Sequence, residues 1–116
     1  MLYCGNGLLF RNFLFPLRLV IQSMSALKSS TSTISAELIT GLRQVIGADG
    51  VLTAYSDRMV FECDGFTIGK GCPDVVVFPR TTAQIAAVVS LCNQHKVPFL
   101  PRGAGTSLAG GTLAVG

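Results

Sequence analysis

A glycine-rich loop near the end of the chain has the composition of an anion-binding site. Residues 101–111 hold four glycines, one cation and two hydroxyl side chains, in the order Pro-Arg-Gly-Ala-Gly-Thr-Ser-Leu-Ala-Gly-Gly. Glycine lets the backbone turn through positive φ and approach a ligand closely. Successive N–H groups exposed in such a turn form a concave site for anions. The loop is therefore predicted to hold phosphate through its main-chain amides.

Two common phosphate-binding motifs do not match this loop. A dinucleotide fingerprint that begins at Gly103 and Gly105 needs a third glycine where the chain has Leu108. A Walker A motif that begins at Gly105 and reaches Gly110 needs lysine where the chain has Gly111. Without that lysine, hydrolysis of a nucleoside triphosphate is not expected.

A strand–helix–strand unit is predicted to position the loop. The apolar runs at residues 75–78 and 97–100 predict two short strands, the first covered on both faces. Between them, Thr81 and Gln84 form a capping box at the start of a helix over about residues 82–95. The two strands should run parallel with a right-handed crossover. The loop then leaves the carboxyl end of the second strand, where ligands of α/β sheets bind.

A further helix is predicted ahead of this unit. Ser35 can cap it, and Gly47 suits the position just after its end. Residues 36–46 carry four apolar side chains at helical spacing, namely Leu38, Leu42, Val45 and Ile46. Residues 51–53 are interpreted as a short strand and residues 55–73 as mostly loop. The predicted fold class is α+β with α/β-like character, a helix followed by a βαβ unit.

The charge of the chain argues against a nucleic-acid partner. The chain has 116 residues, of which 49% are hydrophobic, as expected for one small domain. Its net charge is +3. Residues 37–116 hold six basic and six acidic residues, so the excess charge lies in residues 1–36. A nucleic-acid-binding surface needs a clustered basic face, which the balanced part lacks.

The cysteines and the histidine do not form a metal-binding pattern. The four cysteines are Cys4, Cys63, Cys72 and Cys92, and His95 is the single histidine. Zinc sites usually show pairs of closely spaced ligands, which are absent from this pattern, so no metal site is predicted. Free buried thiols of a reducing compartment are the preferred interpretation. Cys92 is expected in the core, and His95 is expected as a cation at a helix end.

Residues 1–35 are expected to be a leader or linker without ordered structure, ahead of a folded part over residues 36–116. Three interpretations of the leader stay open. Translation can begin at Met24, the segment can be an organellar presequence, or it can be a membrane or secretory signal.

No transmembrane segment is predicted in the first 23 residues, although they are rich in leucine and phenylalanine. Arg11 and Arg18 interrupt the apolar run, which stays below the about 20 residues needed to span a bilayer. Pro16 would also break a helix in this region.

The strand and the loop together resemble a flavoprotein family. The sequence Pro-Asp-Val-Val-Val-Phe-Pro-Arg at residues 73–80 and the run Val-Pro-Phe-Leu-Pro followed by the glycine-rich loop carry the resemblance. They are similar to the FAD-binding domain of the vanillyl-alcohol oxidase (PCMH) type. Within it they most resemble the glycolate oxidase flavoprotein subunit and related D-lactate dehydrogenases. The Glu-Cys-Asp-Gly sequence at residues 62–65 adds to the resemblance, which extends over about residues 36–116.

The resemblance implies FAD as cofactor and a loop that wraps the FAD diphosphate. The residues expected to contact or shape the cofactor site are Arg102, Gly103, Ala104, Gly105, Thr106, Ser107, Gly110 and Gly111. Thr106 and Ser107 can add hydroxyl donors. Arg102 can add charge, or it can brace the loop instead. No catalytic residue is predicted, because a second lobe and a cap domain hold the substrate site in longer members of the family.

The predicted function is the N-terminal FAD-binding part of a flavin-dependent oxidase or dehydrogenase of glycolate or D-lactate. The chain would then form the incomplete first lobe of the domain, poorly stable and with weak FAD binding or none. The alternatives are a truncated, inactive remnant and a non-redox module for phosphate ligands. The hydroxy acid is expected as a partner only in the complete enzyme, together with other oxidase subunits. The expected location is cytoplasmic, with the inner-membrane surface or the mitochondrion as alternatives.

Overall fold

The structure, a computed structural model, describes residues 1–4, 34–66 and 68–114. Its regular elements in chain order are β1 (Leu2–Cys4), α1 (Ala36–Ile46), β2 (Val51–Leu52), α2 (Tyr55–Arg58), β3 (Val75–Val77), α3 (Thr82–Gln94) and β4 (Phe99–Pro101). Two 3₁₀ turns, Ala48–Gly50 and Met59–Phe61, complete the list. This mixture of helices and a small sheet confirms the predicted α+β class.

The four strands form one sheet in the order β2-β3-β1-β4. Strand β1 runs antiparallel to both of its neighbours and places Leu2 opposite Val77 and Pro101. Strand β2 runs antiparallel to β3, with Val51 opposite Val77. Because β3 and β4 both oppose β1, they run parallel to each other, as predicted for a strand–helix–strand unit. They are separated by β1 rather than adjacent.

Strand β1 differs from the sequence prediction, which places residues 1–35 in a leader or linker without ordered structure. The side chains of Leu2 and Cys4 are 5% and 0% exposed, so both belong to the core. An inserted strand also satisfies backbone groups that β3 and β4 would otherwise leave unpaired at their edges. Residues 5–33 lie outside the described residues, as do the interpretations that concern Pro16 and Met24.

Helix α1 has the bounds that its capping signals predict. The Ser35 hydroxyl accepts a hydrogen bond from the Leu38 amide at 3.2 Å, which satisfies a donor of the first turn. At the other end, Gly47 adopts a φ of +94° and its amide donates to the Arg43 carbonyl at 2.9 Å. Leu38 and Leu42 are fully buried, so the predicted apolar face of the helix points into the core.

Helix α3 begins at the predicted cap and is tied to α1. The Thr81 hydroxyl accepts a hydrogen bond from the Gln84 amide at 3.2 Å. The Gln84 side chain accepts from the Arg80 amide at 2.7 Å and donates to the Val45 carbonyl of α1 at 3.2 Å. One glutamine therefore fixes both the start of α3 and its position beside α1.

The core lies between the sheet and the two long helices. Its buried members come from strands, helices and the residue before the α1 cap: Leu2, Cys4, Ile34, Leu38, Leu42, Val51, Val75, Val77, Val88 and Cys92. All three residues of β3 are buried, as predicted for a strand covered on both faces. Each fully buried valine stabilises the fold by about 1.5–3 kcal/mol relative to exposure. Strand β3 is thus the centre of the fold.

The segment between β2 and β3 is mostly irregular, with one helical turn and one 3₁₀ turn. From it, the Arg58 guanidinium donates to the Pro73 carbonyl just before β3. Within the described ranges, no helix is long and apolar enough to cross a membrane.

Candidate functional site

The glycine-rich loop leaves the carboxyl end of β4 and borders a cavity of about 300 Å³. The cavity is lined by Met1, Leu2, Pro79, Ile85, Pro101, Arg102 and Gly103. Pro79 follows β3 and Pro101 ends β4, and because these strands are parallel, their carboxyl ends lie at the same edge of the sheet. The cavity therefore occupies the place where α/β sheets bind ligands. The Ile85 side chain of α3 is 44% exposed and lines this cavity.

Arg102 is folded beneath its own loop. Its guanidinium donates to the Cys63 carbonyl at 2.9 Å and to the Phe61 carbonyl at 3.3 Å. A Cβ added to Gly105 would lie 2.6 Å from the Arg102 Cζ atom, so the loop crosses directly over the guanidinium. This geometry favours the bracing role for Arg102 over direct contact with a ligand.

Asp64 fastens the segment before β3 to the far end of the loop. It is 7% exposed, and its carboxylate accepts from the Phe66 amide at 2.8 Å and from the Thr112 hydroxyl at 2.9 Å. Burial alone would raise the pKa of Asp64. The hydrogen bonds from Phe66 and Thr112 and the charge of Arg102 outweigh burial, so the pKa lies below its usual value. Asp64 is therefore an ionised clamp at neutral pH.

Gly65 brings two backbones into direct contact. Its amide donates to the Gly105 carbonyl at 3.0 Å. A Cβ at Gly65 would lie 2.9 Å from the Ser107 carbonyl oxygen and 3.1 Å from that of Thr106. Real Cβ atoms rarely approach backbone oxygens so closely, so position 65 needs glycine for the loop to pack against it. In the sequence, Asp64 and Gly65 contribute only to the family resemblance, and no contact is predicted for either residue. The signal that could have found the Asp64 contact is the tendency of Asp to form a local turn with the amide two residues on.

The curvature of the loop comes from two of its glycines. Gly105 and Gly110 have φ values of +73° and +70°, which L side chains rarely adopt. Inside the turn, the Ser107 hydroxyl accepts from the Ala109 amide at 3.3 Å. Beyond it, the Leu113 amide donates to the Gly110 carbonyl at 3.2 Å, and the buried Leu113 side chain anchors the end.

The outer surface of the loop is free of packing from the described part of the chain. Gly103, Ala104 and Thr106 are exposed. A Cβ at Gly103 would meet no described atom within 4 Å, although Gly103 borders the cavity. Unlike Gly65 and Gly105, Gly103 is therefore not required by contacts inside the fold.

The predicted site residues lie within residues 102–111 and form one curved loop. Residues 61–66 brace this loop from below, and Gly103, Ala104 and Thr106 lie on its exposed side. The far-side glycine Gly111 is exposed, and its nearest neighbour is the Ser107 hydroxyl, 3.7 Å from a Cβ built there. Among the described residues, no group of three or more His, Cys, Asp or Glu side chains is placed to hold a metal ion.

Comparison with known proteins gives a family match for the segment from β3 through the glycine-rich loop. Residues 73–116 match the family described as FAD binding domain. The chain is 38% identical over 71 residues to glycolate oxidase subunit GlcD of Bacillus subtilis, a match that covers 61% of this chain and 15% of that protein. It is 34% identical over 92 residues to the mitochondrial D-lactate dehydrogenase [cytochrome] of Arabidopsis thaliana, covering 78% of this chain and 16% of that protein.

A third relative, D-lactate dehydrogenase of Anaerostipes hadrus, is 48% identical over 48 residues, which is 41% of this chain and 10% of that protein. The chain therefore spans about a sixth or less of the length of these relatives. The family match over residues 73–116 contains β3, α3, β4 and the glycine-rich loop. The resemblance drawn from the sequence is confirmed: residues 73–116 belong to the FAD binding domain family of flavoproteins, and the cofactor of this family is FAD.

Proposed function

We propose that this chain binds the diphosphate of FAD in a flavin-dependent oxidase or dehydrogenase of 2-hydroxy acids. The observation that carries the proposal is the exposed backbone of the loop at Gly103 and Ala104. It lies beside a cavity at the carboxyl ends of β3 and β4. A diphosphate needs several N–H donors that converge on it, and a side chain at Gly103 would hold the backbone away.

The residues of the loop fit this role in two groups. Gly103, Ala104 and Thr106 form the exposed side, where main-chain amides and one hydroxyl can donate to phosphate oxygens. Arg102 and Gly105 form the support beneath it. The guanidinium of Arg102 stays close to the loop, so its positive charge favours an anion even where it makes no direct hydrogen bond.

Ser107, Gly110 and Gly111 complete the proposed site on the far side of the turn. The Ser107 hydroxyl accepts from the Ala109 amide, which leaves its own proton to donate to a phosphate oxygen or a nearby acceptor. Gly110 reverses the chain so that Leu113 returns to the interior. The role of these residues is to hold the cofactor, and no catalytic step is assigned to them.

The proposed substrate class follows from the relatives. Bound flavin accepts a hydride equivalent from the hydroxyl-bearing carbon of a substrate, and the names of the relatives point to glycolate or D-lactate. One relative is named as an oxidase subunit, which supports partner subunits here too. The cytoplasmic location stays a prediction, with the mitochondrion as the alternative supported by the plant relative.

Phosphorus NMR on the full 116-residue chain tests the proposal, because it detects weak as well as tight binding. FAD, ADP and FMN are compared as ligands. Contact with a diphosphate predicts that the phosphorus signals of FAD and ADP broaden more than that of FMN, and that FAD binds more tightly than ADP. Gly103→Val should weaken FAD binding at least about tenfold, because the side chain blocks the approach of the backbone. Ala86→Val, which adds the same kind of bulk at an exposed position of α3, is the matched control.

The other outcomes identify the alternatives. Equal affinity for FAD and ADP would favour a general module for phosphate ligands. A folded chain that binds none of the three ligands is expected of a truncated, inactive remnant and would overturn the proposal. Full FAD affinity in Gly103→Val would also overturn it, because the exposed side of the loop would then not contact the cofactor.

A further inference from the structure

Two cysteines that are distant in sequence meet in the core. Cys4 ends strand β1 and Cys92 lies on α3, 88 positions later, and their Sγ atoms are 3.1 Å apart. Both side chains are fully buried. The other two cysteines, Cys63 and Cys72, are only half-buried. The paired thiols play no part in the proposed cofactor site.

We propose that Cys4 and Cys92 form a reversible disulfide that fastens the N-terminal strand to α3. A disulfide has an S–S bond of about 2.0 Å, so the two sulfur atoms need to approach by only about 1 Å. Both elements are already packed in one core cluster, so no large movement has to bring the thiols together. The proposal does not depend on FAD binding.

The environment of the two thiols assigns their roles. The Cys4 thiol lies within hydrogen-bonding distance of Cys92 Sγ, which lowers the pKa of Cys92 and raises that of Cys4. The thiolate is the nucleophilic form of cysteine. These pKa directions favour Cys92 as the attacking sulfur and Cys4 as the resolving one, and the disulfide is the same product in either order.

The oxidant is a hydroperoxide, and hydrogen peroxide is the simplest example. The Cys92 sulfur attacks one peroxide oxygen, an S–O bond forms, the O–O bond breaks, and the first water leaves. The Cys4 sulfur then attacks Cys92 Sγ, the S–S bond forms and the S–O bond breaks. The departing hydroxide takes the proton of Cys4 as the second water. Two thiols lose two electrons and two protons, and one peroxide is reduced to two waters.

The bond would act on a strand that borders the candidate site. Met1 and Leu2 line the cavity beside the glycine-rich loop. The Arg102 amide donates to the Met1 carbonyl at 2.9 Å, at the start of the loop. Holding the Cys4 end of β1 against α3 therefore holds the other end beside Arg102. Oxidation would fasten one wall of the cavity, and reduction would release it.

Peptide mapping of the full chain tests the proposal without any substitution. The reduced protein is treated with a small excess of hydrogen peroxide, alkylated in denaturant and digested without reductant. The expected product joins the peptides of Cys4 and Cys92 and is lighter by two hydrogen atoms than the separate peptides. Cys63 and Cys72 should remain open to alkylation. Oxidation should raise Tm by roughly 10 °C, since the bond closes a long loop, and dithiothreitol should reverse the shift.

Amide hydrogen exchange gives the second measurement. The amides of β1 should exchange at least about tenfold more slowly in the oxidised chain. Cys92→Ala should abolish both effects, whereas Cys63→Ala, the matched control, should retain them. A disulfide between another pair of cysteines, or alkylation of Cys4 and Cys92 in the folded chain as rapid as that of Cys63 and Cys72, would overturn the proposal.

Discussion

At the scale of single residues, the glycines of the loop have different physical roles. Gly105 combines a φ of +73° with the Arg102 guanidinium directly beneath it. Gly103 faces open space in the described structure. Composition alone treats the two as equivalent. The structure separates a glycine that the fold requires from one that contacts inside the fold do not require, and the proposed function assigns the second to the approach of the cofactor.

The first prediction concerns these two positions. Gly105→Ala should destabilise the fold by about 1–3 kcal/mol, because alanine is strained at this φ and its Cβ would displace the Arg102 side chain. Gly103→Ala should change the free energy of unfolding by less than about 0.5 kcal/mol. Urea denaturation followed by circular dichroism measures both. Equal effects at the two positions would contradict the separation.

The second prediction concerns pH and Asp64. Because the folded-state pKa of Asp64 lies below its unfolded value of about 3.9, its ionised form stabilises the native state above that pH. This contribution should be lost as pH falls from about 4 through the folded-state pKa. Asp64→Asn should be less stable than the parent chain at pH 7, and the difference should shrink in acid. Asp57→Asn, at an exposed carboxylate, is the control. A constant difference between pH 7 and pH 3 would argue against the clamp.

At the scale of elements, local signals predicted the two long helices, α1 and α3, because each signal acts within one turn, whereas the single turn α2 lies in the segment interpreted as mostly loop. Ser35 and Thr81 accept hydrogen bonds from amides three residues later, so their neighbours in sequence are sufficient to predict them. The run of valines in β3 likewise predicts a strand covered on both faces.

The third prediction tests the cap of α3. Thr81→Ala should destabilise the fold by about 1 kcal/mol, because the Gln84 amide loses its acceptor. Thr82→Ala, one residue later and also exposed, should change stability by less than about 0.5 kcal/mol. Thermal unfolding of both variants beside the parent chain measures the difference. A larger loss in Thr82→Ala would show that the hydroxyl of Thr81 is not the cap.

Contacts that join distant segments had no comparable signal. Arg102 bonds to the Cys63 carbonyl 39 positions away, and the partner of Gly65 is the carbonyl of Gly105. Strand β1 inserts between two strands that begin more than 70 positions later. Strand β1 has only three residues, too few to show a periodic pattern. Its pairing depends on the edges of β3 and β4, which exist only in the folded sheet. The sequence therefore predicted the loop and, through the family resemblance, the FAD cofactor, but not the residues beneath the loop.

At the scale of the whole molecule, the sheet depends on the three-residue strand β1. Among the described strands, only β1 joins β4 to the rest of the sheet. Its Leu2 side chain is 5% exposed, and it also borders the cavity beside the glycine-rich loop. Folding of the sheet and formation of the candidate site are consequently coupled through one strand.

The last prediction tests this coupling with a charge placed in the strand. Leu2→Asp should lower the free energy of unfolding by at least about 2 kcal/mol, because a carboxylate would replace a buried apolar side chain without a partner. Leu108→Asp, at a loop position that is 80% exposed, should change it by less than about 0.5 kcal/mol. Amide exchange should accelerate at Leu100 of β4 in the first variant and stay unchanged in the second. Parent-like stability and exchange in Leu2→Asp would contradict this coupling. They would mean that β4 stays in the sheet without the buried Leu2 side chain of β1, whereas the coupling requires that side chain to hold both the sheet and the loop in place.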